Sequence, residues 1–362
     1  MIIIQVALLI IIGILIFELI ILFHEFGHFI CAKKSNVLVH EFALGMGPKI
    51  FGFQRGETQY SLRLFPIGGY CSMEGEDGES DNPRAFSKAK VWQRMIIVVA
   101  GATMNVLFGL VLMAIMLCTQ EIPYFASTTI DKFHDNAVSS QYGLKEGDTI
   151  ISLDGYSIYT DKDFSYSLAT MKTDSPVIKV ERNGETVDLG KVKFAMTEDN
   201  SGRKYIQLDF WVVPIERNVG TVITQTFKQT YSVIRMIWGS LIGLVTGQFS
   251  MNDVSGPIGA ASAISEATSM GLETSFKDGL SNLIFMLMVI SVNLGIFNML
   301  PLPALDGGRF FFLLIEAIFR KPVPAKYEGL VHTIGFVLLM LFMVIISLKD
   351  VFRLFNGTGF GA

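Results

Sequence analysis

Residues 1–23 contain only two polar side chains, Gln5 and Glu18, a run long and apolar enough to cross a bilayer as a helix. It ends in His24-Glu25-Phe26-Gly27-His28, and apolar character resumes through Phe29-Ile30-Cys31 before Lys33 and Lys34 stop it. Ionisable groups at membrane depth, or just inside its edge, are costly and mark a functional site by default. Residues four apart share a helix face, so His24 and His28 can reach one metal ion, with Glu25 beside it as general base. This is the H-E-x-x-H arrangement of zinc sites. The bland alternative, polar residues opening a loop after the span, sits badly with the continued apolar flank.

Composition agrees with an integral membrane protein carrying a moderate soluble portion. Of 362 residues, 51% are hydrophobic and 17% charged, with a mean hydropathy of +0.47. A net charge of −4 gives no electrostatic case for nucleic acid. Cys31, Cys71 and Cys118 are widely separated, so neither a disulfide framework nor a cysteine zinc site is expected. No basic stretch precedes the first apolar run and no small-residue cleavage site follows it, which argues against a cleaved signal peptide.

Further apolar segments lie near residues 95–117, 283–300 and 329–348. The loop between the first two spans carries nine Lys and Arg residues, which places it in the cytoplasm and the N-terminus outside. Within that loop, residues 39–73 alternate apolar and polar side chains between glycines, a pattern of short strands and hairpins. Outside the membrane, Gly143-Leu144-Lys145-Glu146-Gly147-Asp148-Thr149-Ile150-Ile151-Ser152-Leu153-Asp154-Gly155 resembles the core of a PDZ domain. Residues 177–180 and 186–189 flank an Asn183-Gly184 turn as a hairpin. Residues 231–248 read either as a fifth span or as an amphipathic helix lying in the interface.

Two histidines do not complete a catalytic zinc site, which uses three protein ligands and an open position. His40, His134 and His332 have no partner motif and read as ordinary solvated or interfacial residues. The better candidate is Asp306, in Asn298-Met299-Leu300-Pro301-Leu302-Pro303-Ala304-Leu305-Asp306-Gly307-Gly308, where prolines and glycines break the third span. Irregular backbone at that depth must be buried in protein or line a watered cavity. Its bland alternative is a helix N-cap. Asp306 reaches the side of His24 and His28 only if residues 231–248 do not span, which favours the interfacial reading.

The predicted fold is therefore a polytopic α-helical membrane protein with four transmembrane helices, a membrane-associated β-hairpin region and an extracytoplasmic PDZ-like α+β domain. The segments are a first transmembrane helix (1–31), a cytoplasmic β-rich loop (32–94), a second helix (95–118), the PDZ-like domain (119–215) and an interfacial segment (216–282). A third transmembrane segment (283–308), a cytoplasmic loop (309–328), a fourth helix (329–349) and a tail (350–362) complete the chain.

H-E-F-G-H in the first span, N-M-L-P-L-P-A-L-D-G-G in the third and a single PDZ-like insert together resemble the site-2 protease family. Within it the chain is similar to bacterial regulator-of-sigma-factor intramembrane zinc proteases of the single-PDZ form. Phe65-Pro66-Ile67-Gly68-Gly69-Tyr70, Ser255-Gly256-Pro257-Ile258-Gly259 and Ala100-Gly101-Ala102-Thr103-Met104-Asn105 match too, although members usually carry proline where Ala102 stands. The resemblance implies Zn2+ held by His24, His28 and Asp306, with Glu25 as catalytic base. It implies that Asn298 engages the substrate backbone, with Asn293 in the same span and Asn105 in the second as further candidates for that role. It implies a multi-pass protein of the bacterial inner or plasma membrane with its active site on the cytoplasmic side. Its substrates would be single-span membrane proteins, anti-sigma factors or remnant signal peptides, already trimmed by an upstream site-1-type protease in regulated intramembrane proteolysis. The hairpin region, through Thr58, Tyr60 and Leu62, is expected to pair with an unwound substrate as an added strand. The competing readings are a non-catalytic membrane receptor for peptides and a metal transporter.

Overall fold

An aliphatic sequence without proline carries the first helix, α1, over Ile2–Lys34, through the histidine motif and out to two lysines in its last turn. Basic side chains there meet the unpaired C-terminal carbonyls. The computed structural model describes residues 2–355, apart from Asp77, Glu79, Lys172, residues 199–203 and Asn252.

Strands β1 (Val39–Arg55) and β2 (Thr58–Met73) form an antiparallel hairpin in which each strand is folded in half. Gly45, Gly47 and Gly68 take φ values of +81°, +84° and +91° at the bends, a conformation open to glycine and costly for other residues. Residues 41–44 consequently pair with residues 69–72 on one side and residues 59–62 on the other. Residues 51–55 pair with the far side of residues 58–62. Residues 58–62 are thus an interior strand, and residues 69–73 are an edge. Helix α2 (Val91–Thr119) follows.

The first and last thirds of the chain form one compact unit and Leu117–Met251 the other. In the second unit, β3 (Tyr124–Phe133), β4 (Thr149–Leu153) and β5 (Tyr156–Ser157) lead to helix α3 (Asp161–Thr170). Strands β6 (Val177–Arg182), β7 (Glu185–Lys191), β8 (Ala195–Glu198), β9 (Lys204–Gln207) and β10 (Phe210–Glu216) follow, and then helix α4 (Val219–Val245). The main sheet runs β10-β3-β4-β6-β7, with β5 on β4, and β8-β9 is a separate ribbon. Asn183 and Gly184, both at positive φ, join β6 to β7. Ile130, Leu144, Ile150, Leu153, Ile178, Val180 and Phe194 form the core. Helix α4 is amphipathic in the inverted sense. It buries Gln225, Thr226, Gln229, Thr230 and Ser232, with Ser232 bonded to Asp163 and Thr160, and exposes Ile223, Phe227, Tyr231, Trp238 and Ile242.

Returning to the first unit, α5 (Pro257–Thr274) packs on α6 (Phe276–Asn298), and α7 (Asp306–Phe319) and α8 (Ala325–Phe355) close the described chain. Asp350, on α8, accepts hydrogen bonds from the backbone N–H groups of Gly256 and Gly259, both at 2.9 Å, and so caps the start of α5. Among the described residues four helices are long and apolar enough to cross a membrane, over Ile4–Lys34, Val91–Thr119, Phe276–Asn298 and Lys326–Phe355; α4 is not one of them. The segment boundaries differ from the expected ones in particular ways. Residues 216–282 hold α4 in one unit, and α5 with the first turns of α6 in the other. The expected loop at 309–328 is largely α7. Helix α8 runs into the expected tail, of which residues 356–362 lie outside the described residues.

Candidate metal centre

Helical spacing brings the imidazoles of His24 and His28 together, with their Nε2 atoms 3.2 Å apart. The third corner is Asp306, whose Oδ2 lies 3.2 Å from His24 Nε2 and 3.3 Å from His28 Nε2. Asp306 is the first residue of α7, and Leu305 before it is the N-cap, so the carboxylate points into the cluster and is not the helix cap.

Two close approaches make room for the rings. A side chain at Gly27 would run into the Ala100 carbonyl, and one at Gly101 would strike both imidazoles, at 2.9 Å from His24 Cε1. Glycine at these positions is what lets α1 and α2 pack tightly enough for His28 Nδ1 to reach the Ile97 carbonyl oxygen at 2.8 Å. That oxygen only accepts, so Nδ1 carries the ring proton and Nε2 is left as a lone pair. On His24, Nδ1 lies 3.1 Å from the side-chain amide of Asn105, a residue with no exposure whose Oδ1 is otherwise unpartnered. With that oxygen turned to the ring it accepts from Nδ1–H, and His24 also presents a bare Nε2.

With the rings so oriented, the two Nε2 atoms and Asp306 Oδ2 converge as three lone-pair atoms, and Asp306 Oδ2 is buried without a hydrogen-bond partner among the described residues. Such a triangle is repulsive unless a cation sits over it. Nitrogen and oxygen ligands about 2.0–2.1 Å from a tetrahedral zinc ion stand about 3.3 Å from one another, the spacing observed here. The donor set therefore fits a three-ligand zinc site with one open position.

The loop that delivers Asp306 is held from α8. Ala304, at φ +74°, donates its backbone N–H to His332 Nδ1 at 3.0 Å. Gly335 lies so close to Pro303 that a side chain there would overlap it. His332 is thus no ordinary interfacial residue. Its role was invisible in sequence because no spacing rule joins it to residue 304. His40 instead bonds Glu74 at 2.6 Å, and His134 rests on the Trp211 ring in the other unit. The three cysteines are free.

His24, Glu25, His28 and Asp306 line a cavity of about 410 Å3, together with Tyr70, Cys71, Ser72 and Met73 of the β2 edge, and with Glu76 and Arg309, which are paired at 2.5 Å. Asn298, at the end of α6, places its amide nitrogen 3.5 Å from His24 Nε2, although neither Asn298 nor Asn293 is among the residues lining the cavity. Tyr70 donates to Glu41 at 2.7 Å, and burial together with that bond pushes its phenol up to about 12, so it stays a donor and is no candidate base. Thr58, Tyr60 and Leu62 do not offer the expected edge. Tyr60 and Leu62 are paired on both sides, and Thr58 pairs with Arg55 on one side and is fully buried, its hydroxyl donating to the Val39 carbonyl at 2.8 Å. The folding of each long strand on itself, set by three glycines, moves the free edge to residues 69–73.

A family model, Peptidase family M50, matches residues 12–342. The chain is 37% identical over 345 residues to an inferred zinc metalloprotease of Clostridium acetobutylicum, covering 94% of this chain and 97% of that one. It is 30% identical over 421 residues to the zinc metalloprotease RasP of Geobacillus kaustophilus, covering 94% and 97%. To the regulator of sigma-W protease RasP of Bacillus subtilis it is 29% identical over 423 residues, covering 94% and 98%.

Proposed function

The chain belongs to peptidase family M50, and on that footing we propose that it is a zinc-dependent endopeptidase cutting peptide bonds within the transmembrane segment of single-span membrane proteins. The observation that carries this reading is the convergence of the His24, His28 and Asp306 ligand atoms within 4.8 Å of one another, with Glu25 lining the same cavity and both histidines on a helix apolar enough to span a bilayer. His24, His28 and Asp306 hold the ion, and Glu25 is the base. A bound zinc ion lowers the pKa of its water to about 7 and polarises a carbonyl oxygen. The Glu25 carboxylate takes the proton of the attacking water and passes it to the leaving nitrogen. Ile97 and Asn105 keep the imidazoles in the ligating tautomer, and the Asn298 amide is positioned to bond a substrate carbonyl.

A transmembrane helix hides its peptide bonds in internal hydrogen bonds and must unwind to be cut. The free edge at residues 69–73, which lines the cavity, offers an unwound strand new partners. Thr58, Tyr60 and Leu62 serve this by holding that edge in place from the interior of the sheet. Lysine and arginine distribution supports a cytoplasmic active site and an outside N-terminus in a bacterial cell membrane. The exposed apolar stripe of α4 supports an interfacial helix, with residues 119–215 as a PDZ-like filter that excludes large ectodomains. Pre-trimmed anti-sigma factors or remnant signal peptides, supplied by an upstream site-1-type protease, suit such a filter, and the name of the Bacillus subtilis relative points the same way.

Glu25→Gln tests the reading in proteoliposomes. Zinc content should be unchanged and cleavage of a single-span segment should fall by about 10²–10⁴. Wild-type protein that binds zinc and moves it across the bilayer without cutting any segment would favour the transporter instead.

A further inference from the structure

Glu18 takes no part in the site described above. It lies in the apolar stretch of α1, six residues before His24. Glu18 is 8% exposed, and both of its carboxyl oxygens are buried without a hydrogen-bond partner among the described residues. A polar group held so deep without a partner is disfavoured, so the resting protein keeps an unmet acceptor at this point.

Its place on the helix sets its neighbours. Ile20, His24 and His28 belong to one buried face. Glu18 is on another, seven residues from Glu25, and seven residues are close to two full turns. Ile21 lies between them on that face. A side chain at Gly69 would meet Glu25 Cγ at 3.4 Å and Ile21 Cγ2 at 3.6 Å, so this face lies against the start of the free edge of β2. Glu18 continues the same line deeper along α1. Seven helical residues advance about 10 Å, which an extended chain covers in about three residues.

We propose that Glu18 is a substrate-recognition residue, and the proposal rests on the intramembrane-protease reading. Its carboxyl accepts a hydrogen bond from a donor side chain (Asn, Gln, Ser, Thr or Lys) about three residues from the bond that is cut. In hydrocarbon such a donor has no water to turn to. A buried acceptor built for it discriminates sharply against an analogue that lacks it.

The test uses the full chain in proteoliposomes and model single-span segments of leucine and alanine with a central Asn-Gly pair. A single further asparagine is walked along the segment, with leucine in the matched control, and cut sites are read by mass spectrometry. Wild type should cut one asparagine segment, with the donor about three residues from the cut, about tenfold faster than its leucine control. Glu18→Gln keeps an acceptor oxygen and should retain most of that ratio. Glu18→Leu should bring the ratio to about one, while leaving zinc content and cleavage of the leucine segments unchanged. Equal ratios in all three proteins, or uniform slowing on every segment in Glu18→Leu, would overturn the recognition role. Wild type that cuts no segment at all would remove the protease reading, and this inference with it.

Discussion

The metal cluster has two halves of different construction. His24 and His28 stand one turn apart on an unbroken helix, their rings oriented by Ile97 and Asn105 of α2. Asp306 arrives at the end of an irregular segment, residues 299–305, whose shape depends on His332 and Gly335 of α8. The first half follows from local geometry, and the second exists only when distant parts of the chain have packed. The difference separates the residues proposed to hold the ion from those that hold the site in shape.

The sharpest way to break this comparison is to remove a ligand from each half. Asp306→Ala and His28→Ala should both abolish zinc retention on dialysis, with losses in affinity beyond the 10–100-fold typical of supporting residues. A protein that keeps stoichiometric zinc without Asp306 would show that the triangle is not the metal site. Next in size, Gly101→Ala drives a methyl group against both imidazoles. It should empty the histidine half and lower thermal stability, by about 1–3 kcal/mol of overpacking strain. Weaker again is the support for Asp306. His332→Leu should reduce zinc affinity about 10–100-fold, and adding it to Asp306→Ala should cost nothing further, since both act on one half. Additive losses in that double variant, measured by competitive chelation, would place His332 outside the Asp306 half.

The smallest expected effect concerns the far end of α1, where Lys33 and Arg84 grip Glu57, Arg84 with both nitrogens at 2.6 and 2.7 Å. Bonds from Arg84 and then Lys33 bring the Glu57 carboxyl down from 4.5 to about 2. A depressed carboxylate stabilises the fold above its unfolded pKa and loses that contribution as pH falls through its folded one. Between about pH 4.5 and 2, wild type should therefore lose thermal stability that Glu57→Gln has already lost, and identical melting profiles over that window would dismiss the contact.

The same contrast explains what could be read from sequence. H-E-x-x-H on an apolar run is a local pattern with one geometric meaning, and Asp306 could be found because prolines and glycines interrupt a span there. The four spanning-length helices were legible from hydropathy for the same reason. Thr58, Tyr60 and Leu62 were misplaced because alternation identifies a strand without saying which of its sides is free. That depends on the positive-φ bends at Gly45, Gly47 and Gly68, which fold the hairpin on itself. His332 gave no signal at all, since its partner is a backbone N–H whose exposure depends on a tertiary loop. In α4, polar side chains face inward and apolar ones outward, so periodicity marked the helix while the environment reversed its faces.

Helix α8 leaves the ribosome after α1 and α7, and it carries both the histidine that steadies the Asp306 loop and the aspartate that caps α5. A nascent chain that has already inserted the histidine helix consequently has an unfinished metal site. The support of the Asp306 half is therefore deferred until residues 332–335 have been made. Chains stalled short of residue 330 should bind zinc more weakly than chains extended through residue 355, and equal binding would dismiss this dependence on α8.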